Sequence, residues 1–210
     1  MKKLLVALGF AVASIGAQAT SLPLGPALIL DNNGTDTITQ VFDPVPNPAL
    51  VLPIGSTFLT GTVKALHEGT FYATFLGSES GWTNFYMDNA STIIENNASL
   101  GTTAAMYVAG PGVLDFGFGT LSPTGKPSHY NGQPNTGIIG IAYLLNTWGF
   151  KDADGNVFDF LIGFNDAFAG HHDHDDMVMG ARFVPTPVPA ALPLLATGLA
   201  LFGFSRRKSV

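Results

Sequence analysis

Thr57-Phe58-Leu59-Thr60-Gly61-Thr62-Val63 is the stretch that decides the fold class. Polar and apolar side chains alternate along it, the period of a strand that lays one face on a core. Leu114-Asp115-Phe116-Gly117-Phe118 alternates in the same way. Working outward, runs rich in Phe, Val, Ile, Thr and Tyr lie between Gly, Asn and Pro punctuation. They predict strands over 57–66, 70–76, 104–108, 113–119, 137–145, 157–164 and 177–183. No twelve-residue window in this region has capped helical periodicity. Short strands in that number predict an all-β fold, a single jelly-roll-like β-sandwich. Asp31-Asn32-Asn33-Gly34 and Asp152-Ala153-Asp154-Gly155-Asn156 read as turns, and 43–48 and 121–134 as loops. The second turn has the outline of a calcium loop. It is not an EF-hand, because Val157 stands where the bend glycine belongs and Gly163 where the bidentate Glu belongs.

The two ends differ from this domain. Met1-Lys2-Lys3 is basic, 4–13 is apolar apart from Gly9, and Ala17-Gln18-Ala19 places small residues where signal peptidase requires them. Residues 1–19 are therefore expected to be a secretory signal peptide, cut after Ala19. The β domain is expected over 20–184. Beyond it, Pro185-Thr186-Pro187-Val188-Pro189 is expected to end the sheet, since each proline lacks a backbone donor. Residues 190–204 carry no charge, and Arg206, Arg207 and Lys208 follow. As a helix this apolar stretch spans roughly 22–26 Å, slightly less than a bilayer core. The basic end would stay cytoplasmic and the domain would face outward.

A Pro-rich element, a short apolar helix and a terminal basic cluster in that order resemble the PEP-CTERM sorting tail. Val184-Pro185-Thr186-Pro187 matches its motif, with Thr186 in place of the eponymous Glu. The segment 188–195, VPAALPLL, resembles a Pro-Ala variant of the same tail. The resemblance implies an exported protein handled by signal peptidase and then by an exosortase. It also implies passing residence in the inner membrane through residues 185–210, and a final place on the cell surface or in an exopolysaccharide matrix.

Composition narrows the domain's partners. Residues 20–184 hold all 15 acidic side chains and only Lys64, Lys126, Lys151 and Arg182 as bases, a formal charge near −11. Nucleic acid needs a basic patch and is excluded as an expected partner. There is no cysteine, so neither disulfides nor a thiolate site exist.

The acidic charge is concentrated in 151–182, which holds Asp152, Asp154, Asp159, Asp166, Asp173, Asp175 and Asp176. Three of these carboxylates fall within four residues and repel one another unless solvated or bridged by a cation. Asp173, Asp175, Asp176 and Asp166 are the candidate ligands, and a hard oxygen-seeking ion such as Ca2+ is the expected occupant. Two other readings stay open: a solvated loop without an ion, and a transition metal on His171, His172 and His174. In an extended chain Asp173 and Asp175 point one way, and His174 and Asp176 the other.

Asp173-His174-Asp175-Asp176-Met177-Val178 resembles the D-x-[ND]-D-[LM]-V element of secreted and PEP-CTERM-tailed bacterial domains. Residues 73–84 (ATFLGSESGWTN) and 160–166 (FLIGFND) resemble two earlier elements of those domains. His171 stands where the family often has Asp, and Asp175 where it often has Asn. Trp82 and Trp148 are expected in the core rather than stacked on sugars. No Gly-x-Ser-x-Gly elbow, phosphate-binding glycine loop or H-E-x-x-H pattern is present, and no Glu lies near the acidic run in sequence. The expectation is thus a non-catalytic surface or matrix protein with a cation-stabilised domain associated with polysaccharide. The alternative is a metal-dependent hydrolase acting on that polysaccharide.

Overall fold

Phe160-Leu161-Ile162-Gly163-Phe164 has no polar side chain, so a strand there needs cover on both faces. The computed structural model describes residues 20–25, 27–37, 42, 44, 50–52, 55–89, 91–121, 127–136, 139–147, 149–166 and 173–187. Within them the chain forms β1 (Thr20–Gly25), β2 (Leu28–Thr37), β3 (Thr57–Ala65), β4 (Gly69–Gly77), β5 (Thr83–Asp88), β6 (Ser91–Glu95) and β7 (Thr103–Val108). It continues through β8 (Gly112–Val113), β9 (Phe116–Leu121), β10 (Ser128–Tyr130), β11 (Ile139–Leu145), β12 (Phe160–Asp166) and β13 (Met177–Pro185). The protein is all-β, with no helix among the described residues. The expected signal peptide with Ala17 and Ala19, the apolar segment 190–204 and the cluster Arg206, Arg207 and Lys208 lie outside those residues, as do Trp148, His171 and His172.

The strands make two sheets. The larger runs in the order β1-β2-β3-β11-β12-β13-β4-β7, with β8 on β3, and the smaller runs β10-β9-β5-β6. The strand pairs are antiparallel. One apolar core joins the sheets: Phe71 of β4 stacks on Phe116 of β9 at 5.5 Å, and Phe164 of β12 on Phe118 of β9 at 5.1 Å. Odd and even positions separate cleanly. Ile141, Tyr143, Phe160, Ile162, Met177 and Met179 enter this core. Ala142, Leu161 and Val178 enter a second cluster, where Phe42, Leu50 and Phe158 cover the opposite face. The central strands of the large sheet are therefore buried on both sides, as the run at 160–164 requires.

Buried polar groups pin the connections. Asn131 donates through Nδ2 to the carbonyls of Val63 and Leu114, each at 2.8 Å. Its Oδ1 accepts from Val63 N–H at 2.8 Å and Tyr143 O–H at 2.9 Å. With its hydrogen bonds made, this amide holds the β10–β11 loop on β3 without the penalty of an unpaired buried group.

The runs at 57–66, 70–76, 104–108, 137–145, 157–164 and 177–183 overlap β3, β4, β7, β11, β12 and β13. Four expectations need correction. The run at 113–119 is two strands, β8 and β9, interrupted at Leu114-Asp115. Asp31–Gly34 is not a chain reversal but a bulge inside β2, where Asn32 pairs with Gly61 and Gly34 with Thr60, skipping Asn33. A bulge uses the same residue types as a turn. The 121–134 loop contains β10, which the sheet captures beside β9. Pro185 ends β13 opposite Gly69 instead of lying beyond the sheet, and Thr186 N–H still donates to the Glu68 carbonyl at 2.9 Å. The turn at 152–156 forms as expected, with Asp152 N–H on the Asn156 carbonyl at 2.9 Å.

The inter-sheet rings are the main packing contacts across the core. Phe118→Ala, at a fully buried position between Phe164 and Tyr86, is expected to lower the unfolding free energy by about 3–5 kcal/mol. Val113→Thr, at a position 54 % exposed, should change it by no more than about 0.5 kcal/mol. Urea unfolding of the two variants checks the contrast.

Candidate metal centre

Antiparallel pairing decides what meets the acidic run. β12 ends where β13 begins, and β4 ends beside the same point, since both Gly77 and Gly163 pair with Val178. The segment 173–176 thus lies against the 78–84 segment that leaves β4 and enters β5. With the end of β12 these are the three segments the sequence singles out as motif-bearing, and the fold brings them together at one end of the inner strands β12, β13 and β4 of the large sheet.

Backbone and side-chain bonds join them. Glu79 N–H donates to the Asp175 carbonyl at 3.0 Å. Ser78 O–H donates to the Asp176 carbonyl, and Asn84 Nδ2 donates to the same oxygen at 3.0 Å. Asp166 receives Ser80 O–H and Asn84 Nδ2, the latter at 2.9 Å, while its own N–H donates to Asp176 Oδ2 at 2.7 Å. Asn96 braces the segment through Ser78 Oγ and the Trp82 carbonyl. Phe164 makes a parallel bridge to Asp175. Gly163 leaves room for this docking, because a Cβ there would collide with the His174 carbonyl.

The carboxylates divide into two sets. Glu79, Asp173 and Asp175 bring ligand oxygens within 4.8 Å of one another, with both aspartates buried and Glu79 exposed. Asp166 and Asp176 form the adjoining hydrogen-bonded pair. The expected four-residue set is thus split, and Glu79, which sequence proximity missed, joins the first group. Its signal was the small-residue segment Ser78-Glu79-Ser80 directly after a strand. Asp173 and Asp175 share a group, as alternation predicts, but His174, at φ 61°, is not extended, and His174 and Asp176 reach different partners, Asp36 and Asp166.

His174 is buried, its ring 5.7 Å from that of Phe58 and its Nε2 3.0 Å from Asp36 Oδ2. Its φ of 61° lies in the left-handed region, which costs a non-glycine residue on the order of 1 kcal/mol. His174 is not a member of the three-carboxylate group, which offers oxygen donors alone. Trp82 is half-buried in the connecting segment rather than in the core.

Burial pushes the Asp176 carboxyl up to about 8; the charge of Asp166 adds to this, the Asp166 N–H opposes it, and Asp173 and Glu79 contribute further. Such a site favours neutralisation, by protons or by a cation. The raised value means that the folded protein holds a proton the unfolded chain releases near its ordinary pKa of 3.8. In chelator, stability should therefore fall as pH rises from about 4 to about 8 and level off above that. Asp176→Asn should flatten this slope in thermal melts across that range.

No family model matches the chain, and no curated protein and no solved structure matches it.

Proposed function

We propose that the chain is an exported, exosortase-sorted protein of the cell surface or extracellular matrix. In this reading its β domain is a jelly-roll-like sandwich stabilised by calcium. It associates with exopolysaccharide and performs no catalysis. The supporting observation is the convergence of Glu79, Asp173 and Asp175 from chain positions far apart, with two of the three buried. Three carboxylates without nitrogen or sulfur donors suit a hard cation of flexible coordination, which favours calcium over zinc. The sorting half of the reading rests on the Pro-rich, apolar and basic order of residues 184–210, with signal peptidase acting at Ala17-Gln18-Ala19.

One observation favours a second reading. Glu79 is exposed, so an ion held there would keep a side open to water, as a hydrolytic metal does. Release of reducing ends from polysaccharide, dependent on metal and lost in Glu79→Gln, would establish that reading in place of the first.

The full-length protein should melt at a higher temperature in excess calcium than in chelator. At a hundredfold excess over Kd the gain is about 2.7 kcal/mol. Asp173→Asn with Asp175→Asn should remove the gain; absence of any calcium effect on the parent protein would sink the cation reading.

Removal of the tail has a defined start. Pro185 is paired in β13 and Thr186 N–H is bonded to Glu68, so a clean truncation begins at residue 188. Deleting 188–210 should deliver folded protein to the medium. Mature protein still carrying Arg206–Lys208 in the membrane fraction would refute processing.

A further inference from the structure

On the β2–β3 side of the large sheet lies a cleft of about 400 Å³ that the cation reading does not use. Its first wall is the β2 bulge. Asn33 is the residue left without a cross-strand partner, and Thr60 Oγ1 donates to its Oδ1 at 3.4 Å. The floor is open backbone at Gly61, where a side chain would collide with the Asp31 carbonyl. The other wall is the loop carrying Gln133 and Asn135. That loop is held in place: Asn135 clasps Ile141 through its N–H at 2.9 Å and its carbonyl at 3.0 Å, and Gln133 Oε1 accepts from Tyr130 N–H at 3.0 Å. Asp36 lines the cleft and is 31 % exposed, with Oδ2 fixed by the buried ring of His174 at 3.0 Å. The walls are thus preformed, by a bulge, an amide clasp and a buried histidine.

The lining chemistry selects a ligand class. No basic side chain lies among the described lining residues, and Asp36 repels anions, so phosphates and carboxylates are excluded. Among the described lining residues there is no aromatic ring and Pro134 is the one apolar side chain, so a hydrophobic ligand gains little. What remains is a set of neutral amides and hydroxyls around one carboxylate. The amides of Asn33 and Gln133 both donate and accept, the hydroxyls of Thr35 and Thr60 do the same, and Asp36 accepts. A neutral ligand dense in hydroxyl groups satisfies all of them, and hydrogen bonds to the carboxylate are the strong ones. We infer that this cleft binds one or two sugar rings of a neutral saccharide, with Asp36 as the charged acceptor. The inference deepens the proposed association with polysaccharide by giving it a place. It does not rest on the calcium reading, because the cleft and the Glu79 group have no residue in common.

The test is an array of neutral gluco-, galacto-, manno- and N-acetylglucosamine oligosaccharides. The strongest ligand is then titrated calorimetrically into full-length protein, with calcium and with chelator. The expected result is saturable binding that Asp36→Asn and Asn33→Ala each weaken by about tenfold or more. Asp154→Asn, on the exposed turn outside the cleft, should bind as the parent does. Asn33 is exposed, so its variant keeps the test valid if Asp36→Asn unfolds. Failure of every oligosaccharide to bind, or binding unchanged in both cleft variants, overturns the inference. Saccharide binding without any calcium effect on melting would defeat the cation reading alone, and the reverse result would defeat the cleft alone.

Discussion

Double burial of β12 and β13 is the constraint on which the rest depends. Phe160, Ile162 and Phe164 of β12 and Met177, Met179 and Ala181 of β13 fill the inter-sheet core, and Leu161 and Val178, on the opposite face, lie under Phe42, Leu50 and Phe158. A strand covered on both faces has no solvated side on which to place polar residues. The chain that leaves β12 and returns into β13 therefore carries Asp166, Asp173, Asp175 and Asp176 into a region with little water. Charge buried in that way needs donors, protons or a cation. The structure supplies the donors for one half of the cluster, through Ser80, Asn84 and the Asp166 N–H. It gathers the other half around a common point with Glu79.

That constraint also explains which strands were legible. Strands that serve only the core keep a readable pattern: continuous apolar residues in β12 and β13, alternation in β3. β5 was missed because it serves the cluster as well. Asn84 is fully buried and points its amide at Asp166 and the Asp176 carbonyl. It therefore sits where a core strand would show an apolar residue, and it breaks the period. β2 was hidden for a different reason. Its bulge is written in Asp-Asn-Asn-Gly, and local chemistry cannot distinguish a bulge from a reversal, because both need residues tolerant of unusual backbone. β10 has only three residues and no signal of its own beyond its partner β9.

The candidate site was legible by halves for a related reason. Carboxylates close in sequence reveal their mutual repulsion without a fold, so Asp173, Asp175 and Asp176 stood out. Glu79 and Asp36 come from segments far from them in sequence, and only strand pairing brings them near. Glu79 follows from the register of β4 on β13. Asp36 follows from the bulge in β2 together with the left-handed φ of His174, and neither is written in its neighbours. Long-range electrostatic partners are set by topology, and one sequence fixes topology only weakly.

β13 links the two halves of the proposed function. Its first residues follow the acidic run, and its last two, Val184 and Pro185, open the proposed sorting motif while still paired with Thr70 and Gly69. An enzyme that reads Val184-Pro185-Thr186-Pro187 in extended form must first open those two ladder pairs and the Thr186 bond to Glu68. One that reads a proline pair further along leaves the sheet intact. A cation at the Glu79 group would stabilise the folded state and with it the pairing of β13, so it would favour the later pair. Thr186, standing where the resembled motif has Glu, fits that proposal. Its backbone N–H closes the end of the sheet, and its side chain is exposed, outside the core. The residue that weakens the resemblance to the proposed sorting motif is thus also the residue that closes the end of the sheet.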